Sequence, residues 1–575
     1  MDKGIGMDLQ REFPRRFVPA DADLGSKSAV EGLYRELEKR ELATREQLED
    51  WLRDWSELSA ALSEEEAVRY IRMTCRTDDP DREKAFLHFV ENISPHIKNK
   101  SFALSKMLLD SGGRAELPEE RYSVLMRDMK NHVEIFREEN IPLQTEEEKL
   151  SQQYQKLVGS MTVSHEGEEK TLQEMSRYLE YQERDIRQEA WEKVTDRRLQ
   201  EREELDRIFD QMLELRGKIA ANAGFDNYRD YAFPLRGRFD YGVEDCEKFH
   251  AAVEKEVVPL YRDLQEKRKK EMGLDKLRPW DLRANPQGRP PLKPFEEVKD
   301  LVAGCGKIFE RLDPALGAWF KFMADHDLLD LESRKGKAPG AYSHGLEEMR
   351  LPFIFANAVG VDHDVYTLLH EAGHSFHTVE ARHEPLVFYR HAPIEFGEVA
   401  SMSMEFLGAD HLEVFYSEAD KSRSRREHLE SVAFLFAWIA TVDAFQHWIY
   451  THPGHSREER AQAWVDLRER FGGIEDWSGL EDARSFEWHR QLHIFQIPFY
   501  YIEYGIAQLG ALQVWERSGK NKEDALRDYR HALSLGGSKK LPELFRAAGI
   551  NFDMSEKTLG PLMDKVKAEL RKSGG

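Results

Sequence analysis

The five residues His370-Glu371-Ala372-Gly373-His374 sit in a run whose apolar positions repeat with the helical period. Together they constrain the chain more tightly than any other stretch. Val365, Leu368, Leu369, Ala372, Phe376 and Val379 follow the i, i+3, i+4, i+7 rhythm of one helix face. Residues four apart on that helix lie about one turn from each other on the same side. His370, His374 and His377 then fall opposite the apolar face and look into a cleft. Two imidazoles so placed reach one Zn²⁺ at roughly 2.0–2.1 Å each. Glu371, between them, projects beside the metal, where a carboxylate takes a proton from water. Asp364 is expected near the helix start, as an N-cap or first-turn carboxylate.

Two histidines do not complete such a site, since catalytic zinc usually has three protein ligands plus water. His377 lies about 10.5 Å along the axis from His370, too far to share its metal, and is expected beside the ligands rather than among them. The longer pattern H-E-x-x-H-x-x-G-x-x-H fails, because His377 stands at its Gly and Glu380 at its last His. A carboxylate from a second helix remains. In the stretch from Glu395 to Glu405, Glu398 and Glu405 share a face two turns apart. Gly397, Ala400, Ser401 and Ser403 are small enough for this helix to approach the first closely. Glu398 is the candidate third ligand, and Glu405 the candidate acceptor that orients a ligand histidine.

A net charge of −23 over 575 residues argues against a nucleic-acid backbone as partner. With 40% hydrophobic and 33% charged residues, the balance is that of long amphipathic helices in a solvated protein. Cys75, Cys246 and Cys305 are scattered and form no C-x-x-C pair, so neither a disulfide framework nor a cysteine metal site is expected. The first residues are charged without an apolar core, and no run of 18 apolar residues occurs. The expectation is a cytoplasmic chain without a membrane partner.

Residues 27–220 read as helix after helix, interrupted by a small hairpin around Met161–Glu168. Ala221-Asn222-Ala223-Gly224 closes the last of these helices. A division into an N-terminal helical region, 1–199, and a catalytic region, 200–575, follows. The proline-rich stretch 273–294 reads as irregular, and the basic, glycine-containing stretch 334–342 as a mobile loop over the cleft. Leu351–Asn357 is an apolar run of strand character containing Pro352. As an edge strand it would pair with an extended peptide through Phe355 and Ala356; as a central strand it would be buried. Near the end, His493, Tyr500, Tyr501 and Tyr504 cluster around Pro498. They can serve as neutral hydrogen-bond donors or as core aromatics.

Taken together, Asp364–His377, Phe396–Ser401 and His493–Gln508 resemble the zinc oligopeptidases of the thimet oligopeptidase and oligoendopeptidase F family, closest to its oligoendopeptidase F and Pz-peptidase branch. The stretch 334–343, with Gly340, resembles that family's glycine loop. The resemblance implies a mainly α, two-lobed, zincin-type metallopeptidase. It would have a deep substrate channel and a small β-sheet beside the catalytic helix. It also implies one Zn²⁺ on His370, His374 and Glu398, with Glu371 as base and His493 and Tyr504 as transition-state donors. Tyr500, Tyr501, Gly340, Phe355 and Ala356 become candidate substrate contacts. A further tyrosine of some members falls on Ala507 here, which leaves open which tyrosine serves the oxyanion. The expected substrates are short unstructured peptides cut internally. The rivals are a helical zinc carboxypeptidase or dipeptidyl carboxypeptidase, and a metal-free peptide-binding scaffold.

Overall fold

The computed structural model describes residues 13–572. The chain folds into two compact units, each assembled from three stretches. One comprises the chain up to Glu134, Leu292–Ser424 and Ile506–Phe552; the other comprises Ile135–Pro291, Arg425–Gly505 and the chain from Asp553. A single cut at residue 199 therefore does not describe the architecture. Each unit closes its core by pairing stretches far apart in sequence, which local helical patterning does not report.

In the first unit, the helix Arg45–Cys75 opens with a reciprocal capping box between Thr44 and Gln47. It buries Trp51 and Trp55, whose rings lie 5.1 Å apart. Beyond residue 292 this unit holds a three-stranded sheet of order β3-β5-β4, with β3 at Leu329–Glu332, β4 at Tyr342–Leu346 and β5 at Leu351–Ala358. β5 is thus the central strand, parallel to β3 and antiparallel to β4. Of the two readings of Leu351–Asn357, the edge strand is the one overturned. Pro352 is tolerated because of its place in the ladder. Ile354 N donates to Leu328 O on the β3 side, and Pro352, two residues back, points the same way before β3 pairing begins.

The stretch 334–342 is tethered, contrary to the expectation of a mobile loop. Lys337, its side chain fully buried, donates through Nζ to the carbonyls of Asp330, Glu332 and Ala356 and to Asp330 Oδ1. Arg334 forks onto the Asp330 carboxylate and also reaches the Cys75 carbonyl. These basic residues bind backbone and carboxylate of their own unit.

The second unit is helical around one aromatic core that includes Phe209, Trp438, Phe445, Trp464, Trp488 and Phe495. The hairpin forms as expected, with β1 at Thr162–His165 and β2 at Glu168–Thr171. Glu166 and Gly167 both hold positive φ in its two-residue turn, which matches the right-handed twist of the strands. The helix Arg202–Asn222 ends on Gly224 at φ +89°, where a Cβ would be strained. The helix Glu418–Thr451 is long and apolar enough to cross a membrane by composition alone, but 78% of its apolar window is buried, as in a core helix.

Candidate active site

The helix Asp362–Ala381 starts where Asp364 Oδ2 accepts from the backbone N–H groups of Val359, Gly360 and Val361, satisfying donors that precede the first turn. It packs on the helix Ile394–Ala409, which is buried on nearly all sides. The approach is closest at Gly373, where a Cβ would stand 2.5 Å from Ser401 Cα and 2.7 Å from Ala400 O. Small residues set this contact, at Ala400 and Ser401 rather than at Gly397. Tyr529 holds the same spot from the helix Lys522–Ser534 by donating to Ala400 O at 2.8 Å.

This packing brings His370, His374 and Glu398 together, with one ligand atom from each within 4.8 Å of the others. His370 Nε2 lies 3.4 Å and His374 Nε2 3.6 Å from Glu398 Oε2. Each imidazole keeps 24% of its side-chain surface exposed, enough for access, while the Glu398 side chain keeps 8%. His370 Nδ1 donates to Glu405 Oε1 at 2.7 Å, which fixes the ring and leaves Nε2 as the nitrogen that faces Glu398. Ser401 Oγ lies 3.0 Å from Glu398 Oε2.

The charges are arranged unevenly. Burial pushes the Glu398 carboxyl up, but His370 and His374 outweigh it and hold it below its ordinary value. Burial pushes His370 down, yet Glu398 and Glu405 outweigh it and hold it well above. His374, with fewer partners, is pushed down to about 4 by burial. Burial pushes the Glu371 carboxyl up to about 7, with His370 opposing and Glu398 adding to the rise. Two imidazole nitrogens and a carboxylate oxygen converging on one point are a donor set for a divalent metal ion.

His377 is placed differently from the other two histidines. It is buried against Phe396, its Nε2 has no hydrogen-bond partner, and burial pushes it down to about 3. The expected exposed face thus narrows to His370 and His374. Phe355 is fully buried, its ring stacked at 4.7 Å on Tyr342. The Ala356 side chain is buried and its carbonyl accepts from Lys337 Nζ. Gly340 is exposed at φ +94°, its carbonyl held by Asn357 Nδ2 at 2.9 Å.

The second unit gathers His493, Tyr500, Tyr501 and Tyr504, with ring centroids 4.9 to 6.1 Å from His493. The sequence reading missed Gln491. Its Oε1 accepts from Trp438 Nε1 at 2.9 Å and Tyr501 OH at 3.3 Å, so its amide nitrogen faces His493 Nδ1 at 2.9 Å. That polarity makes Nδ1 the acceptor and leaves the ring proton on Nε2. Burial, with Arg236 adding to it, pushes His493 down to about 4, so it is a neutral donor near pH 7. The two-residue spacing of a glutamine before the histidine was the available signal.

Fold and donor set define a helical protein of the HExxH metal-site class. The chain belongs to peptidase family M3, which it matches over residues 177–560, with the M3 N-terminal domain matched over residues 27–136. Among solved structures it is similar to Pz peptidase A with an inhibitor, at 30% identity and TM-score 0.87, covering 98% of this chain and 99% of that one. It is also similar to a protein assigned as oligoendopeptidase F from Bacillus anthracis str. Ames, at 27% identity and TM-score 0.84, covering 97% and 99%. Among curated proteins it is 25% identical over 313 residues to the oligoendopeptidase F homolog of Borreliella burgdorferi, covering 52% of this chain and 50% of that protein. It is 26% identical to oligopeptidase PepF of Bacillus subtilis, covering 52% and 44%. The chain thus spans about half the length of the curated relatives it matches.

Proposed function

We propose that the protein is a zinc-dependent endopeptidase that hydrolyses internal bonds of short, unstructured peptides. The observation that carries this reading is the placement of Glu371, a buried carboxyl, on the helix that presents His370 and His374 to Glu398. The names of the relatives, oligoendopeptidase F among them, favour internal cleavage over a carboxypeptidase.

His370, His374 and Glu398 would hold the zinc, which when bound supplies Lewis acidity to a water and to the scissile carbonyl. With a divalent ion held there, Glu371 would be kept as the carboxylate. Glu371 then accepts a proton from the attacking water on a carboxylate oxygen and returns it to the leaving amine nitrogen. Glu405 holds the His370 ring through Nδ1. On the family resemblance, His493 and Tyr504 donate to the developing oxyanion, and Tyr500 and Tyr501 contact substrate. For His493 the supporting detail is the Nε2–H tautomer imposed by Gln491. A peptide that adds a strand to the sheet would pair with β3 or β4, because both sides of β5 are taken.

The test is digestion of an internally quenched, end-blocked peptide, with and without chelator. Internal cleavage abolished by chelator and restored by zinc supports the reading. Cleavage confined to peptides with free C-termini overturns it in favour of a carboxypeptidase. An unchanged peptide with no bound metal overturns it in favour of a scaffold.

A further inference from the structure

Two helices of the second unit carry paired ligand residues at the spacing of the HExxH histidines. Cys246 and His250 lie on Val243–Ala252, and Asp443 and His447 on Glu418–Thr451. All four are buried: Cys246 and Asp443 are fully enclosed, and His250 and His447 are 5% and 9% exposed. One ligand atom from each of Cys246, Asp443 and His447 lies within 4.8 Å of the other two. Tetrahedral zinc with bonds of about 2.0–2.3 Å sets its ligand atoms roughly 3.3–3.8 Å apart, so small side-chain rotations close this set.

The polar atoms here are incompletely satisfied. Asp443 Oδ2 lies 2.8 Å from His250 Nε2, which donates to it, and 3.3 Å from His447 Nε2. Asp443 Oδ1 and His447 Nδ1 have no hydrogen-bond partner, and His447 Nε2 has only its 3.3 Å contact with Asp443 Oδ2. Buried polar atoms left in that state are costly and ask for an explanation. Thiolate, imidazole and carboxylate around one point form a borderline-soft donor set, suited to zinc rather than to magnesium or calcium.

We propose that Cys246, Asp443 and His447 hold a second divalent transition-metal ion, zinc, while His250 fixes the Asp443 carboxylate by donating to Oδ2. Binding exchanges the Cys246 S–H bond for a sulfur–metal bond and releases that proton to solvent. The ion joins Val243–Ala252 to the segment of Glu418–Thr451 that supports a strained turn. Phe499 holds φ +64°, uncommon for a bulky residue. Its N–H donates to Gln446 Oε1 at 3.1 Å, and its ring lies 5.3 Å from that of His447. Tyr500 follows directly. The second ion is therefore a positioning element for the segment that carries Tyr500 and Tyr504, and the proposal stands whether or not the peptidase reading does.

Cobalt tests it on the full chain. The set His370, His374 and Glu398 contains no sulfur, so a thiolate-to-cobalt charge-transfer band in the near ultraviolet reports only a cysteine site. Protein stripped of metal and reloaded with Co²⁺ is expected to bind two ions per chain and to show that band. Cys246→Ser should lose the band and one ion, whereas His374→Ala should keep the band. One ion per chain with no thiolate band overturns the proposal, as does a band that survives Cys246→Ser. Should Cys246→Ser fail to fold, X-ray absorption of the zinc-loaded wild-type protein decides: a sulfur neighbour at roughly 2.3 Å supports the site, and nitrogen and oxygen neighbours alone overturn it.

Discussion

His370 and Glu405 are joined by a 2.7 Å hydrogen bond from Nδ1 to Oε1, and this bond decides which face of the imidazole is available to a metal. Replacing Glu405 with Ala releases the ring and its tautomer. Loss of such an outer partner typically costs about 10- to 100-fold in metal affinity or activity. Glu405→Ala should weaken zinc binding by that order in a chelator competition, with turnover largely recovered at saturating zinc. An unchanged zinc affinity would remove Glu405 from the site.

Gly373 permits the approach of the helices that carry the ligands. A methyl group there meets backbone on the facing helix, at Ser401 Cα and Ala400 O, so no side-chain rotation relieves it. Overpacking of this kind costs roughly 1–3 kcal/mol. Gly373→Ala is expected to lower the melting temperature and the zinc affinity together. A variant with wild-type values for both would show that the helices can separate freely.

Gln491 sets the His493 tautomer through one amide contact. In Gln491→Glu the carboxylate accepts where the amide donated, which draws the ring proton to Nδ1 and raises the imidazole from its value of about 4. Losing one oxyanion donor typically costs about 10²–10³ in rate. The variant should lose turnover by up to that order with little change in KM, and its pH profile should shift. Wild-type kcat with an unshifted pH profile would contradict the control of His493 by Gln491.

Asp330 gives a pH dependence to stability. Burial pushes its carboxyl up, but Arg334, Cys75 and Lys337 outweigh it and hold it at about 2. A carboxylate depressed on folding stabilises the protein above its unfolded value near 3.9. That contribution is lost as pH falls from about 4 toward 2. It amounts to on the order of 2 kcal/mol. Denaturant titrations should show Asp330→Asn destabilised at pH 7, with the gap to wild type closing below pH 4. A gap that stays constant with pH would contradict the ion-pair account.

The elements that the sequence made legible depend on local periodicity. The four-residue spacing of His370 and His374, the two-turn spacing of Glu398 and Glu405, and the small residues at Ala400 and Ser401 all follow from helix geometry. What escaped depends on partners distant in the chain. Leu351–Asn357 reads alike as edge or centre until β3 and β4 are placed beside it. The stretch 334–342 looks mobile because its lysine and arginine are basic, yet their acceptors, Asp330, Ala356 and Cys75, lie on three other elements. His377 shares a helix face with His370 by angle, but Phe396 covers it. Cys246 has no cysteine partner in the sequence. Its signal was the spacing it shares with His250, answered almost two hundred residues later by Asp443 and His447.

The central claim is that Glu371 moves the proton at a site built from His370, His374 and Glu398. Turnover of an end-blocked, internally quenched peptide by Glu371→Gln, measured with the zinc content of the same sample, tests it most directly. The account predicts wild-type zinc content with cleavage reduced to near background. Cleavage close to the wild-type rate at full zinc occupancy would contradict it.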